Sequence, residues 1–170
     1  MVKIPIEGLL GGEIMGELLT GEYRNTIDEK GRILIPSRLR SALGETSTLI
    51  VTRAVERCLW LLLPETFEAI RQKIMDGPGA MFDAGSRLLQ RRMIAPAMEC
   101  EIDKAGRINI PSQLRDSVGL TVKAESILLG ISTYLELWSV DDYEKFLVES
   151  ESTFSNASQS LGVMLNGSGR

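Results

Sequence analysis

Ile27-Asp28-Glu29-Lys30-Gly31-Arg32-Ile33-Leu34-Ile35-Pro36-Ser37-Arg38-Leu39-Arg40 returns later in the same chain as Ile102-Asp103-Lys104-Ala105-Gly106-Arg107-Ile108-Asn109-Ile110-Pro111-Ser112-Gln113-Leu114-Arg115. From Asp28 to Asp103 the offset is 75 residues, and Ile, Asp, Gly, Arg, Ile, Ile, Pro, Ser, Leu and Arg fall at matching places. A glycine closes each copy, Gly44 and Gly119. Such self-similarity marks an internal duplication, which governs every other reading of the chain.

Each copy translates into backbone geometry. The aspartate can accept from backbone N–H groups two residues on and the glycine can take a positive φ, which predicts a tight hairpin built on a type I turn and a glycine bulge. Arg32 to Ile35 is a short, β-branched strand, and Pro36, which has no N–H to give a ladder, ends it. Leu39 and Leu43 then stand at helical spacing before Gly44. The unit is strand, hairpin, strand and one or two helical turns, and the second copy repeats it through Leu114, Val118 and Gly119.

The tandem pairing of Asp-x-x-x-Arg with Gly-Arg-Ile-x-Ile-Pro resembles the MraZ family, whose halves are each similar to the AbrB-type swapped-hairpin unit. The resemblance runs from about Gly16 to Leu147. It implies an α+β, β-rich fold in which two duplicated AbrB-like swapped-hairpin halves form one pseudo-twofold, barrel-like domain with short flanking helices. It also implies a transcriptional regulator that binds double-stranded DNA as a ring-shaped homo-oligomer, at promoters of cell-division and cell-wall genes.

The rest of the chain divides around the two copies. A mobile extension is expected over 1–16, with Met1 and Met15 both able to start translation. A first half follows over 17–76, a linker and helix over 77–97, a second half over 98–148 and a disordered tail over 149–170, rich in Ser, Asn, Gly and Glu. Asp76-Gly77-Pro78-Gly79 is the clearest break. Thr48 to Thr52 and Leu59 to Leu63 read as strands, mirrored by Ser126 to Leu129 and Tyr134 to Trp138. Pro64 opens a helix mirrored from Val140, and Ser86 is the expected cap of a helix reaching Ile94. One half alone has too little structure to bury both faces of its strands, so the halves are expected to cover each other in one domain.

Composition sets the functional bounds. A chain of 170 residues, 44% apolar, can bury a full core. It has no run of about 20 apolar residues, and its first residues make a poor signal peptide, so a cytoplasmic protein with no membrane partner is expected; nucleoid association is what the family resemblance implies. Cys58 and Cys100 lie in no metal-binding spacing and the chain has no histidine, so they read as buried free thiols, with no metal and no cofactor. Without histidine, nucleophile motif or phosphate-cradling loop, neither an enzyme nor a small-molecule substrate is expected.

A net charge of −4 sits awkwardly with DNA binding, but it is unevenly spread. From Thr20 to Gly44 five cations face three acids, +2, whereas from Glu136 to Glu151 one lysine faces six acids, −5. From Cys100 to Gly119 cations and acids balance at three each.

The DNA-binding candidates are Arg32 first, then Lys30, Arg107, Arg24 and Lys104, with Asp28, Gly31, Asp103 and Gly106 shaping the turns. Arg107 ranks below Arg32 because Ala105 replaces Lys30. The competing reading is an Asp–Arg bridge that locks each hairpin and touches nothing else, since architecture would also need it twice. Arg38, Arg40 and Arg115 read as partners of acids or neighbouring subunits. Arg87, Arg91 and Arg92 read as a solvated face or intersubunit seam at least as well as a DNA contact. Trp60 and Trp138, near corresponding positions, read as core. A different class also stays open: a structural or adaptor ring that binds other proteins through its tail and acidic helix, without recognising DNA.

Overall fold

The structure, a computed structural model, describes residues 18–167. The extension expected over 1–16 lies outside the described residues. The chain divides into two compact units, one ending at Ser139 and the other beginning at Val140.

The first unit contains strands β1 (Leu19–Thr26), β2 (Arg32–Leu34), β3 (Thr48–Arg53), β4 (Leu59–Leu62), β5 (Met98–Glu101), β6 (Arg107–Asn109), β7 (Glu125–Ser132) and β8 (Tyr134–Ser139). Helices α1 (Ser37–Leu43), α2 (Pro64–Met75), α3 (Ala84–Leu89) and α4 (Ser112–Ser117) connect them. Six strands form one antiparallel sheet in the order β1-β7-β8-β4-β3-β5, and β2 pairs with β6 in a separate two-stranded ribbon.

The pairing crosses between the copies. β1 of the first copy lies on β7 of the second, β5 of the second on β3 of the first, and β4 meets β8 between them. The ribbon does the same: Ile33 faces Ile108, while the Ile35 N–H donates to the Gly106 carbonyl at 2.8 Å and the Ile110 N–H to the Gly31 carbonyl at 2.9 Å. Ile27, Ile33, Ile35 and Leu39 of one copy and Ile108, Ile110, Leu114 and Leu120 of the other are buried in one core. Each such side chain contributes about 1.5–3 kcal/mol of burial, which a lone half could not collect.

Several expectations need correction. The helix expected from Ser86 to Ile94 is α3 followed by a π-helical turn, Gln90–Ile94, closed by the Ala95 N–H on the Gln90 carbonyl at 2.8 Å. Its cap is Asp83, whose Oδ2 accepts from the Ser86 N–H at 2.7 Å; aspartate is as good an N-cap as serine. Trp60 and Trp138 lie near, though not at, equivalent positions. Trp60 sits opposite Glu136, and Trp138, opposite Ile127, lies two residues further along β8.

The second unit is helical, with α5 (Val140–Glu149) and α6 (Glu151–Gly167). Within the tail expected to be disordered over 149–170, Glu151–Gly167 is helical. Its composition misled because serine, read as a loop former, here back-bonds within the helix: Ser158 Oγ donates to the Phe154 carbonyl at 2.9 Å and Ser160 Oγ to the Asn156 carbonyl at 3.0 Å. α5, which the sequence attached to the second half, belongs to this second unit.

Candidate nucleic-acid interface

The two hairpins fold by the same set of bonds. Asp28 Oδ1 accepts from the Lys30 and Arg32 N–H groups, each at 2.9 Å, while Asp28 Oδ2 accepts from Arg32 Nε at 2.7 Å. In the second hairpin Asp103 Oδ1 accepts from the Ala105 and Arg107 N–H groups at 2.9 Å, and Oδ2 from Arg107 Nε at 3.0 Å. The backbone N–H of the arginine, more than any other contact, holds each carboxyl below its ordinary range; the arginine side chain adds to it. Gly31 and Gly106 close the turns at φ 79° and 80°.

These bonds fix each arginine by its Nε. Among the described residues, the Nη groups of Arg32 and Arg107 have no hydrogen-bond partner. In the ribbon Arg32 faces Asn109 and Arg107 faces Leu34. Cross-strand partners share a face, and alternate residues of a strand share it too, so Arg32, Leu34, Arg107 and Asn109 stand on one side. Ile33 and Ile108, on the other side, are fully buried in the core. The two arginines the sequence singled out thus lie on one outward surface. Asn109 was missed, although the alternation Arg107-Ile108-Asn109 already placed it outward.

The turn tips differ. Lys30 and Lys104 are both exposed but lie at opposite ends of the ribbon. At the first tip Lys30 and Arg32 balance Asp28 and Glu29; at the second, Lys104 and Arg107 face only Asp103. Glu29 is bridged by Lys123 Nζ at 2.8 Å. With Lys123 counted, each tip comes to +1, so the tips do not show the difference that the wider sequence windows imply. Arg24, on β1, has Nη1 3.5 Å from Glu125 Oε2 on the neighbouring strand.

Among the described residues Arg40 and Arg115 make no ion pair with an acid of this chain; they cover the turns of the opposite copy. A Cβ on Gly31 would come within 2.9 Å of Arg115 Nε, and one on Gly106 within 2.5 Å of Arg40 Nη1. Arg115 Nε donates to the Ile110 carbonyl at 3.0 Å. A cleft of about 210 Å³ beside the second turn is lined by Arg40, Asp103, Lys104 and Gly106 among others.

One group among the described residues has the composition of a metal site: Glu56, Cys58 and Glu136, whose ligand atoms lie within 4.8 Å of one another. Two of its members are unsuited to a metal. Burial, then the two glutamates, push the Cys58 thiol far up, so that it stays protonated. The Glu136 oxygens accept from the indoles of Trp60 at 3.2 Å and Trp138 at 2.9 Å. Burial likewise raises the Cys100 thiol to about 11, and both cysteines are free.

The family model of the MraZ protein, described as antitoxin-like, matches residues 18–91 and 93–163. The transcriptional regulator MraZ of Treponema denticola is 46% identical over 144 residues, spanning 85% of this chain and 97% of that protein. Its namesake from Treponema pallidum (strain Nichols) is 39% identical over 142 residues, 84% of this chain and 93% of that one. The transcriptional regulator MraZ of Ligilactobacillus salivarius is 38% identical over 144 residues, 85% and 96%. With both copies of the motif inside the two matched segments, the chain belongs to the MraZ family.

Proposed function

We propose that the protein is a transcriptional regulator that reads double-stranded DNA with the outward face of the β2–β6 ribbon. The observation that carries this reading is the placement of Arg32, Arg107 and Asn109 on one face. A two-stranded ribbon fits the major groove, where arginine pairs with guanine and asparagine with adenine edges. Clamping Nε to an aspartate leaves the two Nη groups for the base and spares the entropy of ordering a long side chain. Lys30 and Lys104 at the tips, with Arg40 in the cleft beside the second turn, are placed for backbone phosphates. The regulator names carried by the relatives support the same reading.

The halves are taken as swapped-hairpin units related by a pseudo-twofold axis in a barrel-like domain; the reciprocal bonds of Ile35 and Ile110 support this. Two arginines on an acidic chain bind weakly as one copy, so the protein acts as a ring-shaped homo-oligomer in the cytoplasm, associated with the nucleoid. Linked contacts raise avidity by about 10²–10⁴ where repeats are spaced by about 10 base pairs. Its targets are repeats upstream of cell-division and cell-wall genes. The adaptor reading draws on the exposed Leu161, Val163 and Leu165 of α6, apolar side chains that a protein partner would cover.

The test compares duplexes carrying one, two and three repeats from upstream of the protein's own gene, with oligomer mass measured by light scattering. Affinity should rise steeply with repeat number for the oligomer. Equal affinity for one repeat and for three would contradict the multivalent account, and no DNA binding by an intact oligomer would favour the adaptor.

A further inference from the structure

A cavity of about 240 Å³, separate from the ribbon, is lined by Arg53, Arg57, Arg92, Glu56, Ser117 and Val118 together with the turn after β3. Three arginines line it together with one glutamate, whose carboxylate lies within 4.8 Å of Cys58 Sγ and a Glu136 oxygen. Arg53 Nε is buried without a hydrogen-bond partner among the described residues, a state that is costly unless something arrives to share the charge.

The position of the arginines is built rather than incidental. Buried Thr52 donates from Oγ1 to the Met93 carbonyl at 2.5 Å, pinning the π-helical turn to β3. The residues flanking that bond are Arg53 and Arg92. Single π turns inside helices recur at functional sites, and this one lies where α3 would otherwise have continued unbroken.

The duplication supplies an internal control. A cluster that the fold required would recur, as the Asp–Arg pair does. Arg53 pairs with Leu59, whereas the counterpart strand pairs Leu135 with Gly130, where a Cβ would meet the Thr20 backbone nitrogen at 2.7 Å. β1 covers that position. β5 begins only at Met98, opposite Val51, so no strand lies over Arg53. The corresponding turn, Ile131-Ser132-Thr133, carries no cation. The cluster, drawn from the first half, the linker and the second half, has no counterpart at this equivalent position, so duplicated architecture does not account for it.

We propose that this cavity binds the anionic end of a small phosphorylated ligand, a diphosphate group, as an effector site distinct from the DNA-reading face. Planar guanidinium forks match phosphate oxygens in pairs, and a lining with more arginine than acid favours a ligand with more than one negative charge. The volume is below the roughly 300–1,000 Å³ of clefts that enclose a whole ligand, so the rest of the molecule lies outside.

The experiment titrates inorganic pyrophosphate into the full-length parent, Arg57→Gln, Arg92→Gln and Glu56→Gln by calorimetry at constant ionic strength, with oligomer mass and thermal midpoint recorded for each. A repeat-bearing duplex is titrated in parallel. The parent should bind saturably. Each arginine variant should lose about tenfold in affinity, and Glu56→Gln should bind more tightly than the parent, a gain that a damaged fold does not produce. Absence of saturable binding, or equal binding by all four proteins, overturns the proposal. So does loss of duplex binding in Arg92→Gln with no pyrophosphate binding by the parent, which would assign the cluster to the DNA backbone.

Discussion

Arg32 and Arg107 stand on the same outward face of the β2–β6 ribbon, one opposite Asn109 and the other opposite Leu34, each held through Nε by the aspartate four residues before it. The ion pair and the DNA contact, rival readings of the motif, are thereby compatible: the aspartate takes one edge of the guanidinium and leaves the other. Replacing Arg32 by lysine keeps the charge but loses the fork. Arg32→Lys should lose about 1–3 kcal/mol of discrimination between target and scrambled duplex while nonspecific, salt-dependent binding persists. Competition titrations with both duplexes measure this.

The glycines that close the turns are also where the copies meet. At φ 79° and 80° an L side chain is strained, and at both positions a Cβ would press on an arginine of the other copy. Gly31→Ala and Gly106→Ala should each destabilise the protein by about 1–2 kcal/mol for the left-handed backbone alone. Because Arg115 packs against Gly31, Arg115→Ala should recover part of the loss in Gly31→Ala but none in Gly106→Ala. Urea unfolding of the single and double variants reads the coupling.

Acid should loosen the hairpins. The carboxyls of Asp28 and Asp103 titrate below the unfolded value of about 3.9, chiefly because the Arg32 and Arg107 N–H groups donate to them. A depressed carboxyl contributes stability that is present above the unfolded pKa and is lost as pH falls through the folded one. The thermal midpoint of the parent should therefore drop as pH falls below about 4, and Asp28→Asn, Asp103→Asn should show a shallower drop from a lower starting point.

Glu136 holds both tryptophans. Its two oxygens accept from Trp60 and Trp138, the latter buried, and Trp60 also meets Tyr134 edge to face with ring centroids 5.5 Å apart. Glu136→Leu removes the acceptor from a buried indole and should cost about 1–3 kcal/mol. Intrinsic fluorescence should shift with it, and the thermal midpoint should fall.

The duplication made much of this legible. The Asp-x-x-x-Arg spacing and its glycine foretold the aspartate's bond to the N–H two residues on, the glycine at positive φ and the pairing of aspartate with arginine, but not the further bond from the arginine's own backbone N–H. Pairing between copies could not be read from either copy: β2 has three residues, and which strand it meets depends on how both halves bury Ile33 and Ile108. Asn109 went unnoticed for that reason, since its importance arises only from facing Arg32. The π turn and the Arg53–Arg92 juxtaposition rest on one tertiary hydrogen bond from Thr52, which no local pattern announces.

The most direct test is fluorescence anisotropy of the parent and the Arg32→Ala, Arg107→Ala double variant on a duplex from upstream of the protein's own gene, across a salt series, with equal oligomer mass confirmed first. The account predicts steeply salt-dependent binding by the parent and its loss in the variant at unchanged thermal stability. Binding of the variant as tightly as the parent, with the same salt slope, would show that the ribbon arginines serve the fold and that DNA is read elsewhere or not at all.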